Sequence, residues 1–365
     1  MADLSSLHFI NPHQATAGWT YRPVPAGNPQ PLPVADTPLR LDVEIVGAGR
    51  TWSLDEFHVE TASTSLLVLV HGELVHQWYR DGLGPGEKFL GASATKSLLS
   101  HLVGVAVRAG ALELTDLVAE HVPELADRGY GRVPVGALVT MTSGVDWVED
   151  HRDPVGPATA LVSAFADGAS SRAVLGRVGT RCPPGTRFEY CTADSQVLDW
   201  VRERATGVPF PEALAQLWTD LGATAAAAVA VDGDGVALAG GGVAAVAADW
   251  ARIGLLQVHG ALPDGRHLLD HDWVDEGSRP MFPFVSPGRL PSALSTHVGF
   301  GYHWWPLDEL GARVSADGSR GQFVYLDRPS DVVVVKTSNW AYADPWHDRQ
   351  CRDLSYLALA TIADE

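Results

Sequence analysis

The chain has 365 residues, 46% of them hydrophobic, and carries 44 acidic against 26 basic side chains, a formal net charge of −18. That length and apolar content support one large domain or two interleaved ones around a substantial core, and the negative balance disfavours nucleic acid and anionic membrane surfaces as partners. The apolar stretches are too short to span a bilayer, MADLSSLHFINPHQ lacks the blocks of a secretion signal, and three cysteines (Cys182, Cys191, Cys351) make no disulfide framework. Free thiols, a cytoplasmic location and no membrane partner are therefore expected.

Residues 1–40 are rich in Pro and Gly without a sustained period, which predicts an N-terminal arm and not a domain. Leu66–Val70, the dipeptide His71-Gly72 and Glu73–Tyr79 read as two strands about a tight turn. From Ser93, apolar residues recur at helical spacing (Leu98, Leu99, Leu102, Val103, Val105) and the run stops near Gly110. Further helices are predicted over 194–205, 211–221 and 244–259, the last ending at Gly260; Ala223–Ala228 carries no readable pattern. Strands follow at Val298–Trp305, Gln322–Leu326 and Val332–Thr337, with residues 327–331 turning between the last two. Strands, a long helical block and strands again predict an α+β protein. Its sheet domain comes from residues 41–92 and 223–365, and a mainly helical domain, 93–222, is inserted between them.

Only three lysines occur: Lys88, Lys96 and Lys336. One stands in GASATKSLLS, three residues after Ser93 at the head of the first helix, so hydroxyl and amine share a helix face. A lysine held neutral by burial can take a proton from such a serine, and the helix N-terminus turns free N–H groups, including that of Ser93, toward a developing oxyanion. The competing reading makes Ser93 a helix cap and Lys96 a solvated side chain.

Taken in order, GASATKSLLSHLVGVAVRAGALEL, LVTMTSGVDWVED, PPGTRFEYCTADSQVLDWV, LAGGGVAAVAADWARIGLL, GFGYHWW and ADGSRGQFVYLD resemble the serine β-lactamase and penicillin-binding-protein superfamily. Within it, they are most similar to the 6-aminohexanoate-dimer hydrolases and related esterases. The resemblance covers about residues 60–360. It implies a β-lactamase-like fold, an antiparallel sheet flanked by helices, with the active site between sheet and helical domains. Ser93 and Lys96 match the Ser-x-x-Lys nucleophile and base. Tyr190, in Tyr190-Cys191-Thr192, matches the second motif, and a phenol beside an ammonium is expected to be stabilised as phenolate and to pass a proton to the leaving group. Thr192 stands where Asn or Ser is usual and is a candidate substrate contact.

The third motif, Lys-Thr-Gly in β-lactamases, aligns with Ala316-Asp317-Gly318-Ser319; the nearby Lys336-Thr337-Ser338 lacks the glycine and lies at the end of a strand after a hairpin. Ala316 and Gly318 then line the substrate site, and the Ser319 N–H becomes the second oxyanion donor beside that of Ser93. Without the lysine, the charge-assisted anchor for a substrate carboxylate is lost, which disfavours β-lactamase activity. Trp305 reads either as an aromatic wall beside the substrate or as a core tryptophan. His151 reads either as a donor to a leaving nitrogen or as a surface loop residue. No Gly-x-Ser-x-Gly surrounds Ser93, HLLDHDWVDE reads as a helix start and not a metal site, and LAGGGV lacks the lysine of a phosphate loop. The expectation is a serine hydrolase acting on a small ester or amide without cofactor or metal, compatible with a homodimer. An acyltransferase using the same acyl-enzyme and a non-catalytic binding homologue are the alternatives.

Overall fold

A computed structural model of the chain describes residues 18–47, 49–151, 153–283, 297–341 and 344–365; the first 17 residues of the predicted arm lie outside them. Three short strands, β1 (Thr20–Val24), β2 (Ile45–Gly47) and β3 (Arg50–Trp52), lead into helix α1 (Leu54–Glu60) and the hairpin β4 (Ser63–Val70) and β5 (Glu73–Tyr79). Strand β6 (Lys88–Leu90) feeds α2 (Ala94–Arg108). A helical stretch follows: α3 (Val118–His121), α4 (Val135–Val139), α5 (Pro157–Ala166), α6 (Ser171–Leu175), α7 (Thr192–Thr206) and α8 (Phe210–Asp220). The chain returns through β7 (Ala227–Val231), β8 (Val243–Val246), α9 (Ala247–His259), α10 (His271–Ser278) and the short strands β9 (Phe282–Pro283), β10 (Gly299–Phe300) and β11 (Trp305–Pro306). It closes with β12 (Arg313–Gly318), β13 (Gln322–Asp327), β14 (Val332–Ser338) and α11 (Pro345–Ala363).

The main sheet has the order β11-β12-β13-β14-β4-β5 with every pair antiparallel. Pairing of β14 with β4 joins the early hairpin to the last strands, so both ends of the chain build one sheet, as the element order predicts. Alternation explains the unbroken apolar runs. Leu67, Leu69, Val333 and Val335 face the core that holds Leu98, Leu99 and Ile253 of α2 and α9, while Leu66, Val68, Val332 and Val334 face Leu354, Leu359 and Ile362 of α11. A strand covered on both faces needs a continuous hydrophobic sequence. Each such side chain contributes roughly 1.5–3 kcal/mol of transfer free energy, so layer packing holds the two chain ends together.

A second sheet, β1-β7-β8-β6, departs from the sequence reading in two places. The predicted arm is not strand-free: Thr20–Val24 pairs antiparallel with Ala227–Val231, which begins at the end of the alanine-rich stretch that gave no pattern. Val243–Val246 is a strand paired with β7 and β6, and the predicted 244–259 helix starts at Ala247, closing at Gly260 with φ 64°, a left-handed end that glycine takes without strain. Small residues let these strands pack under the helices, which removes the period-2 signature. Val298–Trp305 is likewise two short strands, broken where His303 takes φ 60° and the Tyr302 N–H donates to the Gly277 carbonyl (3.1 Å).

Lys336 shares the face of Val332 and Val334, which buries its amine beneath α11. Its Nζ lies 5.1, 5.8 and 5.2 Å from the ring centroids of Phe57, Phe323 and Trp340 and donates to Ser338 Oγ. Burial pulls its pKa from 10.5 down to about 7. Between those values the unfolded chain binds the extra proton, so folding stability rises with pH across about 7 to 10.5, and below 7 the full penalty of a buried ammonium applies. Lys336→Met should therefore raise stability by on the order of 2–4 kcal/mol at pH 6, with the gain fading by about pH 11. Urea melts of both proteins at the two pH values check this.

Candidate active site

Strand β6 ends at the start of the loop that carries Ser93. The Gly91 N–H donates to the Val243 carbonyl at 2.9 Å, and Ala92 takes φ 46°, a left-handed conformation that a side chain rarely accepts and that turns the strand abruptly into α2. Ser93 occupies the N-cap position of α2, yet its hydroxyl makes no capping bond. Instead the half-buried hydroxyl receives a hydrogen bond from Lys96 Nζ at 3.1 Å and is bonded to the Tyr190 hydroxyl. Lys96, 2% exposed, also donates to the Gly240 carbonyl at 2.6 Å. The glycine-rich LAGGGV stretch is thus the close-packed turn expected of it, and it additionally supplies an acceptor to the lysine. Burial lowers the Lys96 pKa to about 8, against the opposing pull of Glu149 and Cys191. The solvated reading of Lys96 does not hold.

Tyr190 lies in the segment before α7, held in a small cluster with Met141, Phe188, Phe300 and Trp305. Its ring stacks on Trp305 (5.5 Å, 19° between planes), and Trp305 stacks in turn on His297 (4.6 Å, 16°). Trp305 is 4% exposed and core-packed, with its ring against that of Tyr190. Burial first, then the negative fields of Glu149 and Asp317, push the Tyr190 pKa well above 10. Tyr190 is therefore a neutral phenol in the resting site, a correction to the expected phenolate: Lys96 Nζ is 5.1 Å from its ring centroid, and one buried amine does not outweigh the desolvation.

The β12 end completes the arrangement. An ideal Cβ on Gly318 would stand 2.1 Å from the Gly91 carbonyl, so only a glycine lets the strand seat against the Ser93 loop; the half-buried Ser319 is the next residue. Ala316 is 1% exposed and packed into the main core on the side of α2, so as a lining residue it offers the site neither charge nor free surface. Asp317 points the other way, paired with Arg352, and it accepts a hydrogen bond from Tyr356 (3.0 Å), whose oxygen lies 2.8 Å from His297 Nε2. Lys336 lies away from Ser93, under its aromatic cover, in keeping with its exclusion from the third motif.

The chain matches the Beta-lactamase family over residues 56–354. It belongs to that family. It is 32% identical over 336 residues to the 6-aminohexanoate-dimer hydrolase of Paenarthrobacter ureafaciens, covering 88% of this chain and 83% of the relative. Among solved structures, a Bacillus anthracis protein described as a 6-aminohexanoate-dimer hydrolase superposes with a TM-score of 0.83 at 20% identity, covering 98% of this chain and 96% of that one. EstCE1, a hydrolase with promiscuous acyltransferase activity, superposes with 0.61 at 16% identity, covering 81% and 93%. The fold is β-lactamase-like, and the chain is a serine hydrolase.

In this β-lactamase-family site one residue was not foreseen. Glu149, with 13% of its side chain exposed, collects four donors: Trp147 Nε1 at 2.6 Å and the Thr192 N–H at 2.9 Å on one oxygen, and the Thr192 hydroxyl at 2.5 Å and His151 Nε2 at 3.0 Å on the other. Burial opposes ionisation, but those bonds and the fields of His151 and then Lys96 hold its carboxyl down at about 2. Thr192 and His151, both expected as substrate contacts, bond this carboxylate. The Thr192 hydroxyl, 5% exposed as a residue, is committed to Glu149, and His151 is a surface loop residue that covers the same carboxylate. No sequence signal marks Glu149, since Glu-Asp-His in a short polar loop is ordinary surface composition. Among the described residues no cluster of three or more His, Cys, Asp or Glu is arranged to hold a metal ion, and no helix is long and apolar enough to cross a membrane.

Proposed function

We propose that the chain hydrolyses a small ester or amide through an acyl-enzyme on Ser93. The observation that carries this reading is a serine hydroxyl, free of capping, placed between a buried lysine whose pKa is lowered to about 8 and a neutral tyrosine. Lys96, uncharged in part of the population at neutral pH, takes the Ser93 proton as Oγ attacks the carbonyl. The N–H groups of Ser93 and Ser319 hold the oxyanion. Tyr190 gives its proton to the departing oxygen or nitrogen and recovers one from Lys96, leaving the ester of Ser93. Water then attacks that ester, giving up its proton through the same pair, and Ser93 leaves reprotonated. With an alanine at position 316 the substrate carboxylate has no lysine to engage, so neutral acyl groups are favoured over β-lactams. Three unpaired cysteines suit a reducing, cytoplasmic setting.

A fluorophosphonate probe should add to the protein once, with peptide mass spectrometry placing the adduct on Ser93. p-Nitrophenyl butyrate should turn over while nitrocefin does not. Labelling at another residue, or β-lactamase-like turnover of nitrocefin, would overturn the assignment.

A further inference from the structure

The proposed reaction creates a charge that the site must tolerate. When Ser93 gives up its proton, Lys96 becomes an ammonium within a 2%-exposed position whose polar partners are a hydroxyl and one carbonyl. The titratable groups around it are Tyr190, Cys191, His303 and Glu149. The first two are held neutral by burial, and His303, buried and bonded to the Val139 carbonyl and Ser195, has a pKa near 3 and is neutral too. That leaves Glu149 as the anion whose field reaches Lys96. Glu149 itself faces His151, and its field reaches Tyr190, Cys191 and Asp194. Asp194, tied to Tyr130 and Ser143, is raised to about 7 by burial and so carries only part of a charge at neutral pH.

Glu149 also fixes geometry. Both hydrogen-bond donors of Thr192, two residues beyond Tyr190, end on its carboxylate, which ties the segment carrying the phenol to the 147–151 loop. We infer that Glu149 is a positioning residue of this reaction, acting through Lys96: its carboxylate holds the Tyr190 segment in place and supplies the countercharge to the ammonium formed when Ser93 is deprotonated. This rests on the acyl-enzyme reading above. A carboxylate suits the task where an amide does not, because four donors converge on it and an amide would turn an N–H₂ toward two of them. By raising the Lys96 pKa against desolvation, it keeps the lysine basic enough to accept the serine proton.

The test is the pH dependence of kcat/KM for p-nitrophenyl butyrate in wild type, Glu149→Gln and Glu149→Asp, with near-UV circular dichroism on each. Wild type should show activity rising with pH through about 8, as Lys96 loses its proton. Glu149→Gln, which keeps the shape and removes the charge, should move that limb about one pH unit lower and reduce the plateau about tenfold or more. Glu149→Asp should keep the limb near 8 on a reduced plateau. A limb unmoved in Glu149→Gln, with an equal loss at every pH, overturns the countercharge role. Should Glu149→Gln fail to fold, Glu149→Asp and Thr192→Val decide. Both retain the charge but disturb the tie between Glu149 and Thr192, so a plateau reduced in both with the limb still near 8 supports the inference, and an unchanged plateau or a displaced limb overturns it. A wild-type profile with no limb between pH 7 and 9 instead overturns the assignment of Lys96 as base, and this inference with it.

Discussion

Replacing Lys96 by methionine should lower kcat/KM for a p-nitrophenyl ester about 10²–10⁴-fold, the range a positioned general base supplies, while making the folded protein more stable. The two effects have one cause. The Lys96 amine is buried, and its pKa falls from 10.5 to about 8, so the folded chain binds fewer protons than the unfolded chain between those values. Stability from this group therefore rises with pH from about 8 to 10.5, and at pH 7 nearly the whole desolvation penalty is present. Methionine removes the penalty and fills similar space. The stabilisation should disappear above about pH 11, where the native amine is neutral in both states. Stopped-flow release of p-nitrophenol gives the acylation rate, and melts at pH 7 and 11 give the stability difference. A variant that loses activity and stability together would mean that Lys96 is a structural contact and not a destabilised base.

The pattern of what the sequence disclosed follows from where each signal resides. Ser93, Lys96 and Tyr190 were legible because the first two share one helix turn and the third lies in a motif whose order is maintained along the chain. The strands β4, β13 and β14 were legible because burial on both faces demands apolar runs. Strands β1, β7 and β8 were not, since Thr20–Val24 contains a proline and the alanines of 227–230 and 244–245 carry no face preference; pairing within the sheet decides them, that of β1 with β7 between segments some 200 residues apart. Glu149 was invisible for a related reason. Its importance comes from four donors that converge in space, two of them from Thr192, 43 residues away. The charge state of Tyr190 was misread because local chemistry counts the neighbouring lysine, while the fold adds desolvation and two carboxylates.

Gly318→Ala should lower kcat about 100-fold with little change in KM, a large effect for one methyl group. The added Cβ would stand 2.1 Å from the Gly91 carbonyl and 2.9 Å from Gln322 Cβ, and the first neighbour is backbone that cannot rotate aside. Strand β12 must retreat from the Ser93 loop by about 1 Å, enough to lose the alignment of a positioned group. The loss of one oxyanion donor costs about 10²–10³ in kcat, and it falls on kcat because the donor engages charge that develops only after attack. Overpacking should also remove about 1–3 kcal/mol of stability, so the kinetics belong at a temperature where both proteins are folded. Gly86→Ala is the matched control: no atom lies within 4 Å of its added methyl group, and its φ is not left-handed, so kcat should stay at the wild-type value. If Gly318→Ala keeps kcat within about threefold of wild type, the Ser319 N–H does not hold the oxyanion, and the second donor must come from another part of the loop that faces Ser93.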